Sequence, residues 1–196
     1  MLLSRSLKLA VLGFALIAGG CDRESRETAQ PQAADGAAAG SKPAGTFDRS
    51  HFDRSHRGTQ LPDFVLSDTL GNKIRLADFR GKPLLLNLWA TWCAPCVVEL
   101  PMLDRLAGSK AGALKVLTVS QDTGQPEKVA AFLKDRGIRQ LEPWLDPENN
   151  LSFHYATGTL PTTVLYDAQG REVWRFVGGH DWTGGDTAAM LAEGLE

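Results

Sequence analysis

The chain has 196 residues, enough for one domain of ordinary size with an extension in front of it. Its 21 Lys and Arg nearly balance 23 Asp and Glu, and the net charge of -2, with no basic patch, argues against nucleic acid as a partner.

Residues 1–20 place Arg5 and Lys8 ahead of an apolar segment from Leu9 to Ala18 that closes on small residues. This is the layout of a secretory signal peptide, too short for a comfortable membrane span. Its end, Ile17-Ala18-Gly19-Gly20-Cys21, resembles a bacterial lipoprotein signal, in which small residues precede a cysteine that is lipidated and becomes N-terminal on cleavage. Ala18 stands where that pattern most often has leucine. The resemblance implies lipidation at Cys21; the alternative is an ordinary cleavable signal, or an uncleaved anchor, with a spare cysteine. Asp22 follows, and in some bacteria an aspartate there retains lipoproteins at the inner membrane. On any of these readings the domain is exported to an oxidising compartment, where a reduced dithiol persists only if something feeds it electrons.

Residues 21–58 have the composition of a flexible tether, rich in Ala, Gly, Ser, Pro and Gln and without apolar periodicity. The tether contains a tandem repeat, Phe47-Asp48-Arg49-Ser50-His51 followed by Phe52-Asp53-Arg54-Ser55-His56. Its His and Asp residues could hold a metal weakly, but nothing nearby would preorganise them, so a duplicated, solvated segment is the expectation.

The folded domain is expected over residues 59–196. A short strand from Gln60 to Asp68, a Gly71-Asn72 turn and Lys73 to Leu76 predict a hairpin, followed by a helical turn that Gly81-Lys82-Pro83 ends. Leu84, Leu85, Leu86, Leu88 and Trp89 form an apolar run broken only by Asn87, the pattern of a strand buried on both faces. After Thr91-Trp92 come Cys93 and Cys96 at Cys-x-x-Cys spacing, and Val97, Val98, Leu100, Met102, Leu103 and Leu106 then suit an amphipathic helix.

Cys93 therefore falls at or beside a helix N-terminus. The free amide donors and positive end of a helix favour thiolate over thiol, and the thiolate is the species that attacks disulfides. In motifs of this kind the pKa falls from about 8.5 to somewhere between roughly 3.5 and 7.5. Cys93 is thus the expected nucleophile, and Cys96, one turn on, the resolving thiol. Pro95 sits in the first turn, where its missing N–H costs nothing and its ring stiffens the loop. A structural zinc site would need four ligands; the only other cysteine is Cys21, and none of the four histidines lies in the first turns of this helix. Trp89 is expected in the core and Trp92 partly exposed, as apolar surface for a partner.

Beyond Pro101, expected to kink the helix, Leu114 to Ser120 predicts another inner strand. Glu127 to Arg136 predicts a helix capped by Gly137. Trp144-Leu145 and Pro147 to Tyr155 form a short strand-and-helix connection. Gly158 to Asp167 is a strand entered through Pro161, turned back by Ala168 to Arg171 into Glu172 to Val177. A last helix runs from about Thr183 to Leu195. His154 and His180 carry no specific expectation beyond ordinary surface or satisfied histidines.

This order is α/β, with a crossover followed by an antiparallel pair. It is the thioredoxin order, a central mixed sheet flanked by helices, here with an N-terminal β-hairpin extension. Pro62-Asp63-Phe64, the stretch from Asn87 to Cys96, Glu99-Leu100-Pro101 and Leu160-Pro161-Thr162-Thr163 together resemble the exported thioredoxin-like proteins of the TlpA/ResA type, from roughly Leu61 onward. The resemblance implies a cis Pro161 beside the active-site disulfide, with Leu160 offering backbone groups to an extended client, and a client surface of Trp92, Ala94, Pro95, Leu160 and Pro161.

Ordinary thioredoxins have a buried aspartate where this chain has Asn87. In TlpA/ResA-like proteins a glutamate matching Glu99 tunes the cysteine pair instead, so Glu99, raised in pKa by partial burial, is the expected acceptor of the resolving thiol's proton. The rival for Glu99 is a surface carboxylate favoured by the helix dipole.

The resemblance implies a membrane-tethered thiol-disulfide oxidoreductase acting mainly as a reductant. It would accept electrons from a membrane thiol transporter of the DsbD/CcdA kind and pass them to exported clients such as apocytochrome c or a copper-site assembly protein. The dithiol is itself the redox group, so no flavin, nicotinamide or metal is expected. Pro62-Asp63-Phe64 also resembles the related peroxiredoxins, but their peroxidatic threonine and proline positions hold Ala90 and Leu86 here. A copper(I)-holding metallochaperone or scaffold lipoprotein is the non-enzymatic alternative, since thiolates suit a soft ion.

Overall fold

A computed structural model describes residues 52–124 and 126–196; the signal segment, Cys21 and the first copy of the repeat lie outside the described residues. Seven strands form one mixed sheet in the order β2-β1-β5-β4-β3-β6-β7. Its centre is β3 (Leu84–Trp89), fully buried along its length. It runs parallel to β4 (Lys115–Ser120), with Asn87 opposite Thr118, and antiparallel to β6 (Thr162–Tyr166), with Asn87 opposite Thr163. β7 (Glu172–Val177) closes one end of the sheet, and β5 (Trp144–Leu145) leads to the hairpin of β1 (Val65–Ser67) and β2 (Lys73–Arg75) at the other. The hairpin is joined to the sheet rather than standing ahead of it, through the pairing of Ser67 with Leu145.

Because side chains alternate along a strand, β3 feeds two cores. Leu85 and Trp89 point to the side covered by α1 (Ala94–Lys110), where Leu100 and Leu103 are wholly buried. Each such leucine contributes about 1.5–3 kcal/mol by burial. Leu84, Leu86 and Leu88 face the other side, against Leu151 and Tyr155 of α3 (Asn150–Tyr155). The helices α2 (Pro126–Asp135) and α4 (Gly185–Leu195) complete the first layer, with Val129, Leu133, Met190 and Leu191 in its core. Pro101 lies within α1, which continues through it. In α4, Gly194 lies so close to the sheet that a Cβ there would fall 2.8 Å from Leu165 Cδ2.

The expected tether boundary at residue 58 is corrected. From residue 53 to residue 61 the chain runs antiparallel along β7, with bridges Asp53 to Arg175 and Gln60 to Arg171, and Phe52 is only 3% exposed. The cause is the sheet's edge. β7 would otherwise leave a row of backbone donors and acceptors open, and the strap pairs them: Gly58 N–H donates to Glu172 O at 2.8 Å and Leu61 N–H to Gly170 O at 2.7 Å. A tether composition hides this, because backbone pairing asks little of side chains.

Candidate active site

The site is built where β3 ends and α1 begins. Cys93 is the N-cap of α1, in extended backbone conformation, and the first turn follows directly with Pro95 in it. Cys93 and Cys96 form a disulfide of 2.06 Å, and the Cys96 N–H points at Cys93 Sγ from 3.4 Å. An amide donor aimed at that sulfur favours the anion it becomes on reduction. The loop ahead is pinned by Asp122, which accepts from Thr91 N–H at 2.9 Å, Thr91 Oγ1 at 2.6 Å and Ser120 Oγ at 2.7 Å.

Outward, the disulfide opens on a groove of about 550 Å³ lined by Trp92, Cys93, Pro95, Phe153, Thr159 and Leu160 among others. Trp92 is 71% exposed and Phe153 78%, so two large apolar rings stand in solvent beside the sulfurs. The Leu160–Pro161 peptide is cis, and Pro161 O accepts from Gly178 N–H at 2.8 Å, tying the loop to the end of β7. Ala94 and Pro95 are exposed at the tip of α1, while Pro161 is buried behind them.

Inward lies Glu99, only 1% exposed. The surface-carboxylate rival is overturned, and burial is complete rather than partial. Asn87 shares the parity of Leu85 and Trp89, so it points beneath α1 and its Nδ2 donates to Glu99 Oε1 at 2.7 Å and to Thr163 Oγ1 at 3.0 Å. Trp182 Nε1 and the His180 backbone N–H donate to Glu99 Oε2 at 3.1 and 3.2 Å. These three donors favour the carboxylate, but loss of water outweighs them and pushes the Glu99 pKa up to about 7. Asn87 Oδ1 is buried without a partner among the described residues. Glu99 also lines a cleft of about 640 Å³ with Pro95, Val98, Met102, His180 and Asp181, on the other flank of α1's first turns.

Residues 57–173, more than half of the chain, match the AhpC/TSA family. The chain belongs to the AhpC/TSA family. Among its relatives, the thiol-disulfide oxidoreductase ResA of Geobacillus thermodenitrificans is 37% identical over 116 residues, 58% of this chain and 65% of that protein. ResA of Bacillus cereus is 32% identical over 122 residues, 62% of this chain and 69% of that protein. The first of these matches spans a little under two thirds of the relative's length. Among solved structures, the pneumococcal exposed lipoprotein thioredoxin from Streptococcus pneumoniae is similar with a TM-score of 0.57 at 28% identity, covering 67% of this chain and 99% of that one.

Within this AhpC/TSA-family domain the fold brings together nearly every expected site residue it describes. Trp92, Cys93, Pro95 and Leu160 meet at the groove, Cys96 is bonded to Cys93 and wholly buried, and Glu99 lies one helical turn beyond Cys96. Sequence reasoning missed Trp182 and His180, which reach Glu99 from more than 80 positions away in the chain, and Asp122 and Phe153. No local pattern marks them. Cys21 lies outside the described residues. Among those residues, no helix is long and apolar enough to cross a membrane, and no cluster of three or more His, Cys, Asp or Glu side chains is arranged to hold a metal ion.

Proposed function

We propose that this chain is a thiol-disulfide oxidoreductase of the cell envelope that reduces disulfides of exported proteins through Cys93 and Cys96. The observation that carries the reading is the pairing of a disulfide at the N-cap of α1 with an apolar groove on one side and, on the other, a buried carboxyl whose pKa loss of water raises to about 7.

In the reducing direction the Cys93 thiolate attacks one sulfur of the client disulfide, and the client's second sulfur leaves as a thiolate. The Cys96 thiol then passes its proton to Glu99 and attacks Cys93 Sγ, closing the enzyme disulfide and releasing the client's first sulfur. Two electrons move from the enzyme pair to the client. Two protons follow, one shed from Cys93 on activation and one carried by Glu99. A carboxyl with a pKa of about 7 both accepts and returns a proton near neutrality, which an ordinary carboxylate near 4.5 does poorly.

The envelope address and lipid tether at Cys21, the DsbD/CcdA-like electron donor and the cytochrome c or copper-site clients belong to the same proposal. They rest on the signal-like N-terminus and the TlpA/ResA resemblance, and the name of the pneumococcal relative, an exposed lipoprotein, is in keeping with them.

Reduction of insulin by the pre-reduced protein, with the product disulfide followed by thiol labelling, tests the chemistry. Cys93→Ser abolishes it, and Cys96→Ser accumulates mixed disulfides with envelope proteins. Glu99→Gln slows the wild-type rate at pH 8 by about 100-fold and removes the limb that rises through pH 7. Rapid peroxide turnover or tight copper(I) binding, with no insulin reduction, would overturn the reading.

A further inference from the structure

Phe52 to His56 is the second of two identical pentapeptides, the first being Phe47 to His51, and the second copy is seated on the domain by specific contacts. The Phe52 ring stands edge-on to Trp174 at 4.7 Å between centroids and tilted against Phe176 at 4.8 Å. Asp53 exchanges two backbone hydrogen bonds with Arg175 on β7, each 2.9 Å. Arg54 forks onto the Glu193 carboxylate of α4, at 3.1 Å from Nε and 2.6 Å from Nη2.

Phe52 also meets the His180 ring edge-on at 5.7 Å between centroids, and three further contacts lie within the pentapeptide. Ser55 N–H donates to Asp53 Oδ1 at 2.8 Å, Arg54 Nη1 donates to Phe52 O at 3.0 Å, and His56 Nε2 lies 3.8 Å from Asp53 Oδ2. Each of these groups recurs five residues earlier, in Phe47, Asp48, Arg49, Ser50 and His51.

We propose that Trp174, Phe176, Glu193 and the β7 backbone at Arg175 form a recognition site for the Phe-Asp-Arg-Ser-His unit that either copy can occupy, giving the strap two registers five residues apart. Each chain has one described seat and two matching ligands, and the first copy abuts the second directly. Its effective concentration at a vacated seat is therefore far above that of any other chain.

The second copy has the advantage. Arg57 adds a 2.7 Å hydrogen bond to Glu193 Oε2, and Gly58, at φ +91°, donates to Glu172 O. In the shifted register those two positions would fall to Phe52, which cannot make the ion pair, and to Asp53, which is strained at that φ. Engaging the first copy draws five more residues into the loop before Gln60 and shortens the leader by roughly 17 Å of extended chain. The seat thus sets how far the domain stands from whatever holds its N-terminus, independently of the thiol chemistry.

Alanine variants of the full chain test this. Phe47→Ala leaves the melting temperature within about 1 °C of wild type, whereas Phe47→Ala/Phe52→Ala lowers it on the order of 10 °C. Phe52→Ala alone loses less than half of the double variant's drop, because Phe47 takes the seat, and its ring then gives NMR contacts with the Trp174 indole. Arg49→Ala and Arg54→Ala repeat the same non-additive pattern on a smaller scale. A Phe52→Ala drop equal to that of the double variant overturns the proposal. So does concentration-dependent dimerisation of Phe52→Ala in light scattering, which would mean that the first copy docks on a neighbouring molecule.

Discussion

Two regions of this domain bury a glutamate to the same depth and treat it in opposite ways. Glu172, at the β7 end of the sheet, is 1% exposed and accepts a two-pronged hydrogen bond from Arg175, at 2.7 and 2.8 Å. Arg175 is in turn held by Tyr155 O at 3.1 Å. Glu99, beneath α1, is also 1% exposed, yet its three donors are an amide, an indole and a backbone N–H, and none carries a full charge. A buried carboxylate facing a guanidinium has a fixed ionic partner and serves the fold. One facing only neutral donors has no such partner, and its proton comes and goes near neutral pH. Depth of burial therefore says little about role, while the charge of the neighbours says much.

The sharpest way to break this contrast is to neutralise each carboxyl in turn. Glu172→Gln leaves Arg175 buried without its counter-charge and costs about 3–5 kcal/mol of stability at neutral pH, measured by urea unfolding. An effect under about 1 kcal/mol would mean that water or strap groups screen Arg175, and the pair would lose its structural standing.

Glu99→Gln works with the opposite sign. The folded pKa, about 7, lies above the ordinary value of 4.5, so the folded state holds this proton more tightly than the unfolded chain does. That contribution is full below pH 4.5 and is lost as pH rises through 7. The glutamine cannot lose it. With the disulfide intact, the variant is therefore more stable than wild type above pH 7, by on the order of 3 kcal/mol, and equal to it near pH 4. Parallel wild-type and variant urea midpoints from pH 4 to 8 would show that Glu99 is not held in this way. The smallest effect sharpens the comparison. Trp182→Phe removes one donor from Glu99 Oε2, worth about 1–1.5 kcal/mol to the carboxylate, and so moves the carboxyl pKa up by about one unit in a carbon-13 NMR titration.

How much of this was legible beforehand follows from how far apart the contributing residues stand in the chain. The β3 run, the Cys-x-x-Cys spacing and Pro95 placed a cysteine at a helix N-terminus because those features are contiguous. Trp89 in the core and Trp92 partly exposed followed from the same few residues, and the structure has Trp89 buried and Trp92 largely in solvent. Trp182 and His180 were invisible because they enter through the loop between β7 and α4, and nothing in Gly179-His180-Asp181-Trp182 announces which pocket it will line. The strap misled for another reason. Its hold on β7 is mostly backbone pairing and one aromatic seat, neither of which leaves a periodic imprint on composition.

The local order of residues was thus sufficient for the βαβ unit, the helix-capping cysteine, its partner one turn on and the carboxyl three positions further. Those depend on short-range sterics, alternation and hydrogen bonding, which act between neighbours. Whether that carboxyl would be solvated or dry, which donors would face it, and that a repeat would close the sheet's edge depended on segments far apart in the chain meeting in space. Desolvation and edge pairing are properties of the assembled layers, and no stretch of sequence carries them alone.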